Sequence, residues 1–86
     1  MKIKVTQQDI DYGTQQSCSR CPIALAINRL SCVKKVLVSS TTIMVYVEDS
    51  AGDIYRLPDE ACSFVDRFDN GKFVMPFEFD IPDWEG

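Results

Sequence analysis

Apolar and polar positions along the chain change period several times, and each change marks an element. Lys2-Ile3-Lys4-Val5 alternates polar and apolar side chains, the period of a short strand. Thr6, with Asp9 three residues on, has the spacing of a capping box. It predicts a short helix from Gln7 to about Tyr12, with Gly13 as its stop. A polar loop, Thr14-Gln15-Gln16-Ser17, follows. Pro22 suits the first turn of a second helix, where its missing N–H costs nothing. Ile23, Ala26, Ile27 and Leu30 recur at helical spacing, and the helix is expected to end near Ser31.

The next stretch has the period of a sheet. Val33 to Val38 and Ile43 to Val47 are rich in β-branched residues, with Ser39-Ser40-Thr41-Thr42 as a hairpin turn between them. Ser50-Ala51-Gly52-Asp53 is a second turn and Ile54-Tyr55-Arg56-Leu57 a further strand, so residues 33–57 predict an antiparallel meander. Pro58 opens a third helix. Asp59 and Glu60 in its first turn favour the positive end of the helix dipole. Ala61, Phe64, Val65 and Phe68 fall on one face, and Asn70-Gly71 is a C-terminal stop. Phe73 to Phe79 predicts a last strand, with Pro76 pointing to an edge or a bulge. Phe73, Met75, Phe77 and Phe79 share parity, so that strand would turn them to one side. The order β-α-α-β-β-β-α-β predicts a small single α+β domain, an antiparallel β-sheet with helices packed on one face. The domain is expected over residues 1–80, with residues 81–86 as a mobile C-terminal tail.

Composition narrows the class. The chain has 86 residues, 45% of them hydrophobic, enough for one globular core and no second domain. No apolar run approaches the ~18 residues of a membrane span. The basic start, Met1 to Gln8, lacks the apolar centre of a signal peptide, so a cytoplasmic protein is expected. The net charge of −4 conceals an asymmetry. Residues 1–43 hold six basic and two acidic side chains, or +4; residues 44–86 hold three and eleven, or −8. An acidic half is a poor partner for a phosphate backbone and a good one for a basic protein surface. Its structural alternative is a solvated face that keeps the protein soluble.

The cysteines are the one source of reactive or metal-binding chemistry. They follow Cys18-x2-Cys21-x10-Cys32-x29-Cys62. Cys18 and Cys21 lie just before a helix N-terminus, whose free N–H groups favour a thiolate. Structural zinc normally takes two close ligand pairs, and only one is present; a site would need all four cysteines, or a carboxylate, because the chain has no histidine. A dithiol redox pair lacks the strand that precedes such a motif in thioredoxin-like units. The plainer reading makes Cys32 and Cys62 small core residues and Cys18 and Cys21 loop thiols.

Other chemistry has less support. Without histidine no Ser-His-Asp or Cys-His arrangement exists, and the glycines are too scattered for a phosphate loop. Carboxylate pairs such as Glu78 and Asp80, or Asp80 and Asp83, arise freely in an acidic segment. Arg20, Arg29, Lys34 and Lys35 form the single basic cluster. No aromatic residue is interleaved to stack bases, and cations near a helix C-terminus account for Arg29, Lys34 and Lys35 equally well. Trp84 lies among acids at the end of the chain, either a docking anchor or a side chain folded back on the body.

Several segments together resemble a group of small bacteriophage and prophage proteins. They are Val5 to Gly13, Cys21-Pro22-Ile23-Ala24-Leu25-Ala26, Leu57-Pro58, Phe64 to Gly71 and Met75-Pro76-Phe77-Glu78-Phe79. The resemblance spans nearly the whole chain and brings no catalytic residues. It implies a small phage-encoded protein acting in the cytoplasm of an infected bacterium, where such proteins act by binding. The expected function is therefore non-enzymatic: capture of a host or phage protein, with inhibition of a host enzyme or defence system as one form. The expected surface is Asp59, Glu60, Asp66, Asp69, Glu78, Asp80 and Trp84. The alternative is a thiol or zinc module on Cys18, Cys21, Cys32 and Cys62. Direct nucleic-acid binding and membrane association are not expected, and an exposed edge strand leaves a homodimer open.

Overall fold

A computed structural model describes residues 2–30, 33–47 and 52–81. The elements run β1 (Lys2–Val5), α1 (Gln7–Tyr12), α2 (Pro22–Asn28), β2 (Val33–Val38), β3 (Thr42–Val47), β4 (Asp53–Arg56), α3 (Asp59–Asp69) and β5 (Phe77–Asp80). This is the α+β order that the periodicity predicts. The strands form two antiparallel ladders, β1-β5 and β2-β3-β4, rather than one sheet.

The division follows from where the apolar faces point. In the first ladder Ile3 pairs with Phe79 and Val5 with Phe77, while Lys2 and Lys4 stand opposite Asp80 and Glu78. In the second, Val36 and Val38 face Val45 and Ile43 and are buried with them. Both inner faces close on one core, completed by Ile23, Ala24, Ala26 and Ile27 of α2 and by Ala61, Phe64, Val65 and Phe68 of α3. An aromatic spine couples α3 to the terminal ladder: Phe64 lies 4.7 Å from Phe77, and Phe77 lies 5.5 Å from Phe79, centroid to centroid. Stacked pairs of this kind add about 1 kcal/mol each beyond the area they bury.

The helix ends carry their expected caps, with two changes of reason. The Thr6 hydroxyl accepts from the Asp9 amide and the Asp9 carboxylate accepts from the Thr6 amide, which completes the capping box. Gly13 ends α1 at φ −70°, so no left-handed turn requires it. It is required by close approach, because a Cβ there would lie 2.7 Å from the Pro22 ring and 2.9 Å from the Asp9 carbonyl. α2 ends at Asn28, earlier than the expected Ser31, and Ser31 lies outside the described residues. Leu30 is correspondingly half-buried rather than part of the fully buried stripe. Gly71 does take a positive φ, 73°, as the stop after α3.

The last strand is the main departure. It begins at Phe77, not Phe73, because Pro76 can neither donate to a ladder nor hold the preceding residue in register. Residues 72–76 form a strap instead, and the expected common face of Phe73, Met75, Phe77 and Phe79 breaks in two. Phe79 is in the core and Phe77 half-buried, whereas Phe73 is 75% and Met75 65% exposed. Ile81, expected in a mobile tail, is buried in the core. The rest of that tail, with Trp84, Asp83 and Glu85, lies outside the described residues.

Candidate functional site: an apolar groove beside an acidic helix

The strap and α3 together form a groove of about 360 Å³. Phe64 and Phe77 make its floor, Val74 supports it, and the exposed Phe73 and Met75 stand at its rim. The polar side is Glu60, Ser63 and Arg67, which follow one another at helical spacing on the flank of α3. Arg67 fixes the strap: its Nε and Nη2 donate to the Phe73 carbonyl at 3.3 and 3.0 Å. Lys72 is held as well, its amide donating to the Arg67 carbonyl. Phe73 and Met75 are therefore presented on a tethered segment. Exposed residues of this size seldom cluster on a monomer unless something covers them.

The six expected partner-binding residues that are described lie on two elements, α3 and β5. Asp59, Glu60 and Asp66 are exposed on α3, and of the three Glu60 lines the groove. Asp69 is half-buried on the other flank, its Oδ1 accepting from the Gln16 amide at 2.8 Å. Glu78 and Asp80 project from β5 into a ladder of opposite charge. Glu78 is 3.5 Å from Lys2, and Asp80 is the register partner of Lys2. Lys2 and Lys4 thus face both carboxylates across the ladder. Trp84 lies outside the described residues.

The cysteines occupy different environments. Cys18 is exposed, Cys62 half-buried with its Sγ 3.6 Å from the Leu57 carbonyl, and Cys21 is 4% exposed. Cys21 is the N-cap of α2, its Sγ accepting from the Ala24 amide at 3.4 Å. This corrects the reading of Cys21 as a loop thiol. It also corrects the expectation of a stabilised thiolate. Burial pushes the Cys21 thiol pKa up, and this outweighs the backbone amides of Ala24 and Ile23, which lower it. Cys18 and Cys21 do share the wall of a small pocket of about 180 Å³ with Gln16, Ser39 and Asp69. Among the described residues no three cysteine or acidic side chains come together to hold a metal. Cys32 lies outside them.

The basic cluster is dispersed too. Arg29 caps α2, but its guanidinium reaches back to the buried Asp9 carboxylate and donates to the Lys4 carbonyl at 3.1 Å. It ties α1, α2 and β1 together while staying about half exposed to solvent. Lys35 lies over the Tyr46 ring at 5.8 Å, so cross-strand pairing supplies the aromatic neighbour that the linear order does not.

The groove residues Phe73, Val74 and Met75 were missed as a site because the apolar alternation reads as a strand; Pro76 is the signal that separates them. Among the described residues no helix is long and apolar enough to cross a membrane. In comparison with known proteins, no family model, no curated protein and no solved structure matches the chain.

Proposed function

We propose that this protein is a small non-enzymatic interaction module that captures another protein on the face formed by α3 and the 72–76 strap. The observation that carries the reading is the pair Phe73 and Met75, exposed on a strap tied to α3 by Arg67, at the rim of an apolar groove. Glu60 at the groove, with Asp59 and Asp66 exposed on the same helix, complements a partner segment with an apolar anchor between basic residues. The apolar contacts supply affinity, and the acids orient and speed the encounter. The setting we infer is the cytoplasm of an infected bacterium, with a host or phage protein as the partner, in keeping with the sequence resemblance.

Two variants test the face separately. Phe73→Ser with Met75→Ser removes the anchors; Asp59→Lys, Glu60→Lys and Asp66→Lys together reverse the charge. All five side chains are exposed, and circular dichroism verifies that the fold is kept, the lysines at 59 and 60 costing the α3 N-terminus its favourable charges. A protein captured by immobilised wild type from bacterial extract should be lost with the first variant. With the second, its capture should become weak. Equal capture by wild type and both variants refutes the reading.

A further inference from the structure

The outer face of the β2-β3-β4 ladder carries a row that an open sheet face does not need. Val36, Val38, Ile43 and Val45 point into the core. The alternating positions therefore point away from it, and on a one-sided antiparallel sheet these are normally polar. Here Leu37 pairs with Met44 and Met44 with Ile54, so three large apolar side chains cross the sheet in line. Leu37 and Met44 are half-buried, and Ile54 at the end of the row is 64% exposed. Tyr46 extends the row along β3. Its hydroxyl donates to the Met44 sulfur at 2.7 Å, and its ring packs against Gly52, where a Cβ would lie 3.0 Å from it. The Tyr46 ring thus has both Gly52 and the Lys35 ammonium as neighbours.

The charged side chains that the ladder register places on this face are Lys35, opposite Tyr46, and Arg56, opposite Thr42. Both are cationic, in a chain whose net charge is −4. They flank the apolar row on different strands. From this geometry we infer a second docking surface: the outer sheet face, through Leu37, Met44, Tyr46 and Ile54, binds an acidic, apolar segment of a partner protein, with Lys35 and Arg56 pairing its carboxylates. The inference is independent of the α3 groove and uses none of its residues. A second copy meeting this face by two-fold symmetry would set cations against cations. Single-stranded nucleic acid would find one aromatic ring on this face among the described residues, where stacking sites use successive ones.

The test is a methyl NMR titration of the intact chain with two short peptides of the same leucine and isoleucine content. One carries Asp and Glu at the alternate positions and the other carries Lys there. The acidic peptide should shift the Leu37, Met44 and Ile54 methyl signals, and the lysine peptide should bind about tenfold or more weakly. Ile54→Lys should abolish the shifts. Lys35→Glu with Arg56→Glu, which leaves the apolar row in place, should reverse the preference between the peptides. Ile54 and Arg56 are exposed, and unchanged amide spectra elsewhere establish that the variants fold. Equal binding of both peptides overturns the inference, as does the absence of shifts at about millimolar acidic peptide. Shifts confined to α3 overturn it as well. A concentration-dependent dimer lost in Ile54→Lys would assign the face to a second copy instead. Tighter binding of oligothymidylate at the same methyls would assign it to nucleic acid.

Discussion

The thiol of Cys21 provides the sharpest check on the physical reasoning, because two effects of opposite sign act on it. The N-terminus of α2 favours the thiolate through the Ala24 and Ile23 amides, and burial disfavours it. Burial is the larger effect, so the folded pKa lies above the ordinary 9.0. The sign of the stability change follows from the protons bound. Well below pH 9.0 the thiol is protonated in both states and stability is insensitive to it. Above that value the unfolded thiol releases its proton while the folded one keeps it, so stability falls as pH rises, until the folded pKa is reached. The slope is limited to one proton, about 1.4 kcal/mol per pH unit. Urea unfolding at increasing pH measures it. The difference between wild type and Cys21→Ala isolates this thiol from the lysines, tyrosines and other cysteines. Cys21→Ala itself removes the cap and costs about 1 kcal/mol at neutral pH, but it should be the flatter of the two above pH 9.0. Alkylation gives the kinetic counterpart: at neutral pH the exposed Cys18 should react and Cys21 should remain protected. Rapid alkylation of Cys21 in the folded protein, or a wild-type stability that does not fall relative to Cys21→Ala in alkaline solution, refutes the balance described.

Four further substitutions probe the frame and the groove rim. Asp9→Ala should destabilise by about 2–4 kcal/mol in denaturant unfolding, since it removes the reciprocal cap and leaves Arg29 without its carboxylate partner. Gly13→Ala should destabilise by about 1–3 kcal/mol, although its φ of −70° suits alanine. The gain from a stiffer unfolded chain is at most about 1 kcal/mol, and the atoms in the way belong to a proline ring and a backbone carbonyl, neither able to swing aside. Phe64→Ala should cost about 3–5 kcal/mol and also weaken groove binding, because the ring joins α3 to β5 and floors the groove. Phe73→Ser should leave the midpoint within about 0.5 kcal/mol of wild type. A large loss there would mean that the ring supports the fold rather than a partner.

The sequence by itself determined the elements and their order. The capping box at Thr6 and Asp9, Pro22 at the start of α2, the β-branched runs of β2 and β3, and the apolar face of α3 are local signals. Each depends on residues within one or two turns or one strand, and the structure shows each of them. The acids of α3 were legible in the same way, because helical periodicity alone separates Asp59, Glu60 and Asp66 from Ala61, Phe64 and Phe68.

Tertiary structure decided which chemistry is brought together. Pairing β1 with β5 places Lys2 and Lys4 opposite Asp80 and Glu78, so part of the acidic half is balanced by charges more than seventy residues away in sequence. The fold buries the Cys21 thiol and so reverses the expectation drawn from its helix cap. Arg29 is drawn from the basic cluster to Asp9, and Lys35 is set over Tyr46. Both proposed docking surfaces also arise from contacts remote in sequence. The groove exists because Phe77 stacks on Phe64 while Pro76 keeps Phe73 and Met75 out of the ladder. The sheet-face row exists because the registers of two hairpins align Leu37, Met44 and Ile54. Periodicity fixes which way a side chain points within its own element; what it meets there depends on how that element packs against the others.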